Sequence, residues 1–235
     1  MNDIWQAMAT AVNLLAGLDA SLVEIVARSL GVSLTAVVLA TLIGLPLGAV
    51  LALSRFPGRR VILVIMNALM GLPPVVVGLI VLLMLSRSGP MGALGLLFTP
   101  AAMIIAQTIL VLPIIVALSS TVIESLWQEY EEQMMSLGAG PWARVLALLW
   151  DGRFALMTTV LAGFGRANAE VGAVMIVGGN IDHVTRVMTT AITLEASRGD
   201  LALALGLGVV LLMLSLAINA ASYSVREFAR QRYQA

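Results

Sequence analysis

Arg166 and Glu170 stand four residues apart in an otherwise apolar stretch, so a helix through them would carry both charges on one face. Ionisable groups within such a run face a protein interior or a wet cavity. Two roles suit the pair: an element of a gate or anion path, or a self-neutralising pair that holds a helix bundle together. A few residues on, Gly178-Gly179-Asn180 precedes Thr185, Thr189 and Thr190. Glycines free backbone amides, and amides with hydroxyls bind an oxyanion without a full counter-charge. The same Gly-Asn sequence also suits an ordinary turn. His183, beside Asp182, reads as a solvated polar residue, while Arg186 and Arg198 could draw anions to an entrance or contact another protein. Asn67, Gln107, Asn168 and Asn219 read as hydrogen-bonding glue between helices.

The chemistry missing from the chain is equally informative. All thirteen basic residues are Arg, and Lys is absent. A Walker A loop needs its Lys on the phosphates, and Schiff-base chemistry needs a Lys amine, so neither is expected. Cys is absent and His183 is the sole histidine, which removes disulfides, iron–sulfur clusters and thiolate metal sites and leaves a zinc site unexpected. No catalytic residue and no resident cofactor are therefore expected. Formal net charge is zero, so nothing points to nucleic acid.

Sixty per cent of residues are hydrophobic, 11% are charged, and mean hydropathy is +1.01. Soluble domains average roughly 25% charged residues. The expectation is an all-α, polytopic integral membrane protein with a single membrane domain over 21–222. Crossing a bilayer takes about 20 apolar residues. Five segments qualify: Leu30–Leu53, Val61–Leu85, Ala101–Ile123, Phe154–Gly178 and Leu201–Ser222. Ser21-Leu-Val-Glu24 reads as a capping box that opens the first helix. Residues 1–20 lack the basic start of a cleaved leader; residues 3–18 read as an interfacial amphipathic helix, with a sixth span as the alternative. Pro46, Pro73-Pro74 and Pro113 are positioned to bend three of the spans. Gly44, Gly48, Gly163, Gly165, Ala167, Gly206 and Gly208 would allow close helix approach. No internal repeat is visible, which argues against a secondary transporter.

Arginine asymmetry sets an orientation. Arg55, Arg59, Arg60, Arg144, Arg153, Arg226, Arg230 and Arg232 fall on one side, against Arg28, Arg87, Arg186 and Arg198 on the other. The positive-inside rule puts the larger set in the cytoplasm, with the amino terminus outside and the tail, 223–235, inside.

The connector 124–153 is then cytoplasmic. Its first half, Leu126–Leu137, has helical propensity with mixed polarity; Gly138 suits a helix end and Pro141 the first turn of a second helix. Such a helix–turn–helix offers a knob for a groove on another protein.

Glu132, Gln133 and Met134, followed after three residues by Gly138 and then an amphipathic helix ahead of the next span, resemble the EAA loop of ABC importer permeases. Gln133 and Met134 replace two small residues, and Asp151 replaces the pattern's final proline. Downstream, the run from Phe164 through Glu170 to Asn180, Thr185–Ile192 and Glu195 resemble the oxyanion branch of that family, for molybdate, tungstate and sulfate. The tungstate type is the most similar of these. The resemblance covers 21–222 and implies a type-1 permease fold in a bacterial or archaeal cell membrane. It implies a homodimer, two cytoplasmic ATPase subunits carrying ATP and Mg, and an extracytoplasmic oxyanion-binding protein, all within membrane lipid. The coupling contacts would fall on Glu131, Glu132, Gln133, Met134, Leu137, Gly138 and Ala139. The path or gate would involve Arg166, Glu170, Gly178, Gly179, Asn180, Thr189 and Thr190. Thirteen residues follow Ser222, too few for the regulatory domain of some molybdate permeases, so feedback inhibition is not expected. An ion-coupled carrier and a membrane scaffold are the functional alternatives.

Overall fold

The computed structural model describes residues 20–234; residues 1–19, where the amphipathic helix is expected, lie outside the described residues. Nine α-helices follow one another with no strand among the described residues: α1 (Ala20–Leu53), α2 (Arg59–Leu69), α3 (Pro74–Leu85), α4 (Pro100–Ser136), α5 (Pro141–Asp151), α6 (Arg153–Asn168), α7 (Gly172–Gly178), α8 (Met188–Arg198) and α9 (Leu201–Gln234). The chain has the expected all-α architecture. Ser21–Leu53, Pro100–Ser136 and Leu201–Ala221 are long and apolar enough to cross a membrane. The count rises to five if each of two bent pairs, α2 with α3 and α5 with α6, is one span.

Two of the apolar runs expected as single spans are interrupted, one at the paired prolines expected to bend it and one without a proline. Val61–Leu85 holds α2 and α3, bent by 102°. The cause is local: the Pro74 ring holds the residue before it, Pro73, in an extended backbone (φ −65°, ψ 119°), and both lack the N–H a continuing helix would use. Single prolines act differently, for α1 continues through Pro46 and α4 through Pro113. Phe154–Gly178 holds α6 and α7, separated at Ala169–Val171.

The described residues form two compact units. One comprises residues up to Thr35, Pro73–Gln107 and Asn168–Val225. Its core packs Leu22, Met188, Ala191, Leu207 and Val210. In it Gly78 of α3 lies so close to α7 that an added Cβ would sit 2.8 Å from the Ala173 Cα. Asn168 Nδ2 donates to Ser215 Oγ at 2.6 Å, the interhelical glue expected of it. Asn67 and Asn219 instead donate to carbonyls of their own helices.

The other unit comprises Ala36–Leu72, Thr108–Ala167 and the chain from Arg226. There Gly44 and Gly48 bring α1 against α4: a Cβ at Gly48 would meet Ser119 Oγ at 2.0 Å, and one at Gly44 would meet Ile115 Cγ2 at 2.8 Å. Gly163 touches Val111 and Ile115 in the same way, whereas Gly165 and Gly208 have open space. Many large apolar side chains stay exposed, among them Leu42, Val64, Leu83, Leu212 and Leu216, which suits contact with lipid chains.

Candidate functional site

The connector is built from the end of α4, a turn, and α5. With no Gly or Pro between Pro113 and Gly138, nothing stops α4, and its 37 residues run on through the stretch expected as a separate helix. At about 1.5 Å per residue the helix reaches roughly 55 Å, well beyond the hydrocarbon thickness. Gly138 ends it with φ +65°. The Gly138 N–H donates to the Met135 carbonyl (3.1 Å) and the Ala139 N–H to the Met134 carbonyl (3.0 Å). These two bonds form a Schellman motif, which closes the helix on its own backbone. A Cβ at Gly138 would meet nothing, so conformation alone, with no steric contact, demands glycine there.

Gly140 is extended and Pro141 opens α5, as its missing N–H permits. Arg144 fixes the turn: its Nε donates to the Ala139 carbonyl at 2.7 Å, and its guanidinium lies 5.4 Å from the Trp127 ring centre. The inner face of α5, Val145 and Leu148, packs with Ala49, Ala52, Ile123 and Leu156. Arg59 joins the neighbouring loop to this base. It donates to the Leu51 and Ala52 carbonyls (2.6 and 3.2 Å), which end α1, and pairs with Glu124 at 3.2 Å. Arg55 pairs with Glu131 at 3.1 Å. Gly152, where α5 and α6 meet at 76°, sits against Leu126, 2.7 Å from an added Cβ.

The outer face is the informative one. Glu132 and Gln133 are exposed, and Met134 and Ala139 half-buried. Leu137 is 84% exposed, and Trp142, Leu146 and Trp150 each exceed 60%. A polar connector thus presents a cluster of large apolar side chains on a backbone that packing and capping hold rigid.

The path candidates have a different geometry. α6 ends at Asn168, so Arg166 occupies its last turn and Glu170 lies in the break beyond it. The shared helix face expected from their spacing does not form. Glu170 is 2% exposed, and its Oε1 accepts the Ala173 N–H at 2.9 Å, capping α7. Its backbone carbonyl accepts the Thr189 hydroxyl at 2.9 Å. Gly179 (φ +70°) and Asn180 (φ +51°) turn the chain after α7. The Gly179 amide is engaged by the Met175 carbonyl at 3.0 Å. The buried Thr185 hydroxyl donates to the Gly178 carbonyl (2.6 Å) and accepts the Ile181 N–H (2.9 Å). Thr190 likewise accepts the Val187 N–H at 3.0 Å and so caps α8.

A charged cluster that the sequence reading missed lies in the same unit. Glu24, read as half of a capping box, pairs with Arg28 at 2.5 Å and approaches His183 Nδ1 at 2.7 Å. Arg28 also donates to the His183 carbonyl at 2.7 Å, and Arg186 pairs with Asp182 at 2.7 Å. The hydrogen bond and charge of Glu24 hold the His183 imidazole above its ordinary value of 6.5. The one available signal was His183 itself, whose partner is 159 residues away in sequence.

Comparison with known proteins identifies the family. Residues 44–234 match the family described as binding-protein-dependent transport system inner membrane component. A probable anion ABC transporter permease protein of Haloferax volcanii is 43% identical over 88% of this chain and 91% of its own length. The tungstate uptake system permease protein of Peptoclostridium acidaminophilum is 41% identical over 97% of this chain and all of its own. Its counterpart of that name in Campylobacter jejuni is 39% identical over 95% and 93%. The chain belongs to the binding-protein-dependent transport system inner membrane component family, the ABC permeases of type 1.

Proposed function

We propose that this chain is the membrane permease of an ATP-driven importer for a tetrahedral oxyanion, tungstate first and molybdate or sulfate next. The substrate reading rests on two tungstate uptake permeases that are 41% and 39% identical to this chain over nearly its full length. Two copies would form the pore, and two cytoplasmic ATPase subunits would bind ATP and Mg. An extracytoplasmic binding protein would deliver the anion, with the amino terminus outside and the carboxyl terminus inside. This chain contributes no catalytic group; force reaches it through the connector.

The observation that carries the coupling role is the elbow itself. Its backbone is closed by the Gly138 motif and seated on Leu148 and Val145, while Glu132, Gln133, Leu137 and Ala139 remain at the surface. A rigid element with an apolar outer face transmits displacement, because movement of its partner cannot be absorbed by local bending. Along the path, Glu170 and Thr189 brace the break between α6 and α7, Gly178, Gly179 and Asn180 form the turn after α7, Thr190 caps α8, and Arg166 stands at the end of α6.

The test is reconstituted, ATP-dependent uptake of tungstate by the chain with its ATPase and binding protein. Wild type transports, and Gly138→Val hydrolyses ATP without transporting. Uptake that persists with no ATPase present would instead identify an ion-coupled carrier. An ATPase that binds but ignores the loaded binding protein would identify a scaffold.

A further inference from the structure

We propose that the hollow between the turn at Ser54–Gly58 and the start of α5 seats an anionic phospholipid, its phosphate on Arg55 and Arg60 and an acyl chain along Val50, Leu53 and Val145. The hollow measures about 560 Å³, and its walls include Phe56, Trp127 and Trp142. A second, smaller hollow continues from it through Arg55 and Phe56 to Arg59 and Arg60. Together the two linings hold four arginines and no carboxylate.

The arginines divide by what already occupies them. Arg59 is committed to the end of α1 and to Glu124, and Arg144 to the Ala139 carbonyl and the Trp127 ring. Arg55 is 85% exposed and meets only the half-exposed Glu131. Arg60 is exposed and has no hydrogen-bond or ion-pair partner among the described residues. Arg60, and Arg55 held by the single exposed pair with Glu131, thus stand at the mouth of an apolar slot walled by aromatic rings, at the end of a helix apolar enough to cross a bilayer. That is the chemistry of the membrane interface, where Trp rings and basic residues meet headgroups. A phosphodiester supplies the missing negative charge and its chain fills the slot, which a soluble anion leaves empty.

The experiment uses the full-length chain, equilibrated with vesicles of equal parts phosphatidylglycerol and phosphatidylcholine, solubilised, and weighed by native mass spectrometry. Wild type retains phosphatidylglycerol in preference. Each arginine near a surface is worth about 1 kcal/mol, or about fivefold. Arg60→Gln therefore lowers the preference about fivefold, and Arg55→Gln with Arg60→Gln about thirtyfold. Arg60 has no bond among the described residues, so the single variant keeps the fold and its result stands if the double variant misfolds. Trp142→Ala weakens retention of both lipids and leaves their ratio intact. An unchanged ratio in Arg60→Gln, or an equal loss in the control Arg87→Gln, overturns the proposal. So does displacement of the lipid by soluble glycerol phosphate, which would mark a plain phosphate site. Loss of a bound ATPase in Arg60→Gln, with the lipid ratio unchanged, assigns the hollow to protein docking and also overturns it. These readouts do not involve transport, so they stand or fall apart from the importer reading.

Discussion

The elbow at Gly138 and the turn at Gly178–Asn180 solve one problem by different means. Both reverse the chain after a helix through residues of positive φ. At the elbow, backbone closes on backbone, and large apolar side chains point away from the core. At the turn, the Gly179 N–H also closes on the Met175 carbonyl, but the buried Thr185 hydroxyl adds partners for the Gly178 carbonyl and the Ile181 N–H, and Thr190 does the same at the start of α8. Side-chain burial marks the difference, for Gly179 and Ile181 are exposed as Gly138 is, while the hydroxyls beside them are enclosed. An exposed helix end needs no side-chain partner, whereas polar groups beside enclosed hydroxyls find partners within the chain. Apolar residues left outside a capped turn mark a surface awaiting a partner, and polar residues hidden beneath one mark structure.

The largest effect should come from the buried hydroxyls. Thr185→Val removes the acceptor for the Ile181 N–H and the donor for the Gly178 carbonyl at once. We expect a loss of about 2–4 kcal/mol, read as a lowered thermal midpoint in detergent, with Thr185→Ser recovering most of it. Equal stability of the Val variant would erase the contrast between the two turns. At the elbow, Gly138→Val adds strain of about 1–2 kcal/mol but no clash. The protein should stay folded while uptake fails, and Gly138→Asn, which tolerates positive φ, should transport better. An elbow variant that unfolds outright would show the two regions to be alike. Arg59→Gln is smaller again: losing the bonds to Leu51 and Ala52 should cost about 1 kcal/mol, seen in the same thermal assay.

The same contrast explains what could be read from sequence. The elbow was legible because its determinants are local: Gly138, Pro141 and the acidic run before them act within a few residues. The all-helical membrane class was legible because composition dictates it. The bend at Pro73-Pro74 was signalled, though not its sharpness, and the break at Ala169–Val171 was not, since a run of apolar residues shows hydropathy but not where the backbone leaves the helix. Paired prolines were visible, yet one proline alone leaves α1 and α4 continuous, so position within the run could not decide. The placement of Glu170 was hidden for the same reason: spacing of four residues implies a shared face only while the helix continues. Gly78 against Ala173 and Glu24 against His183 are contacts between distant segments, and nothing in either segment names the other.

The Glu24–His183 contact yields the smallest prediction and the sharpest one in sign. His183 is raised above 6.5 first by its hydrogen bond to Glu24, then by the charges of Glu24 and Asp182, while Arg28 opposes. The folded chain therefore holds this proton more tightly than the unfolded chain does. The contact's contribution is complete below pH 6.5 and disappears as pH rises through the higher native value. The imidazole is 70% exposed, so solvent screens the pair and the effect should be slight. The measurement is the difference in thermal midpoint between wild type and His183→Asn across that window. Wild type should lead below pH 6.5 and the two should converge above it. A constant difference would mean that the ring acts by packing or by its neutral hydrogen bond, and the charge of this wetter cluster would then be as inert as the buried threonines are not.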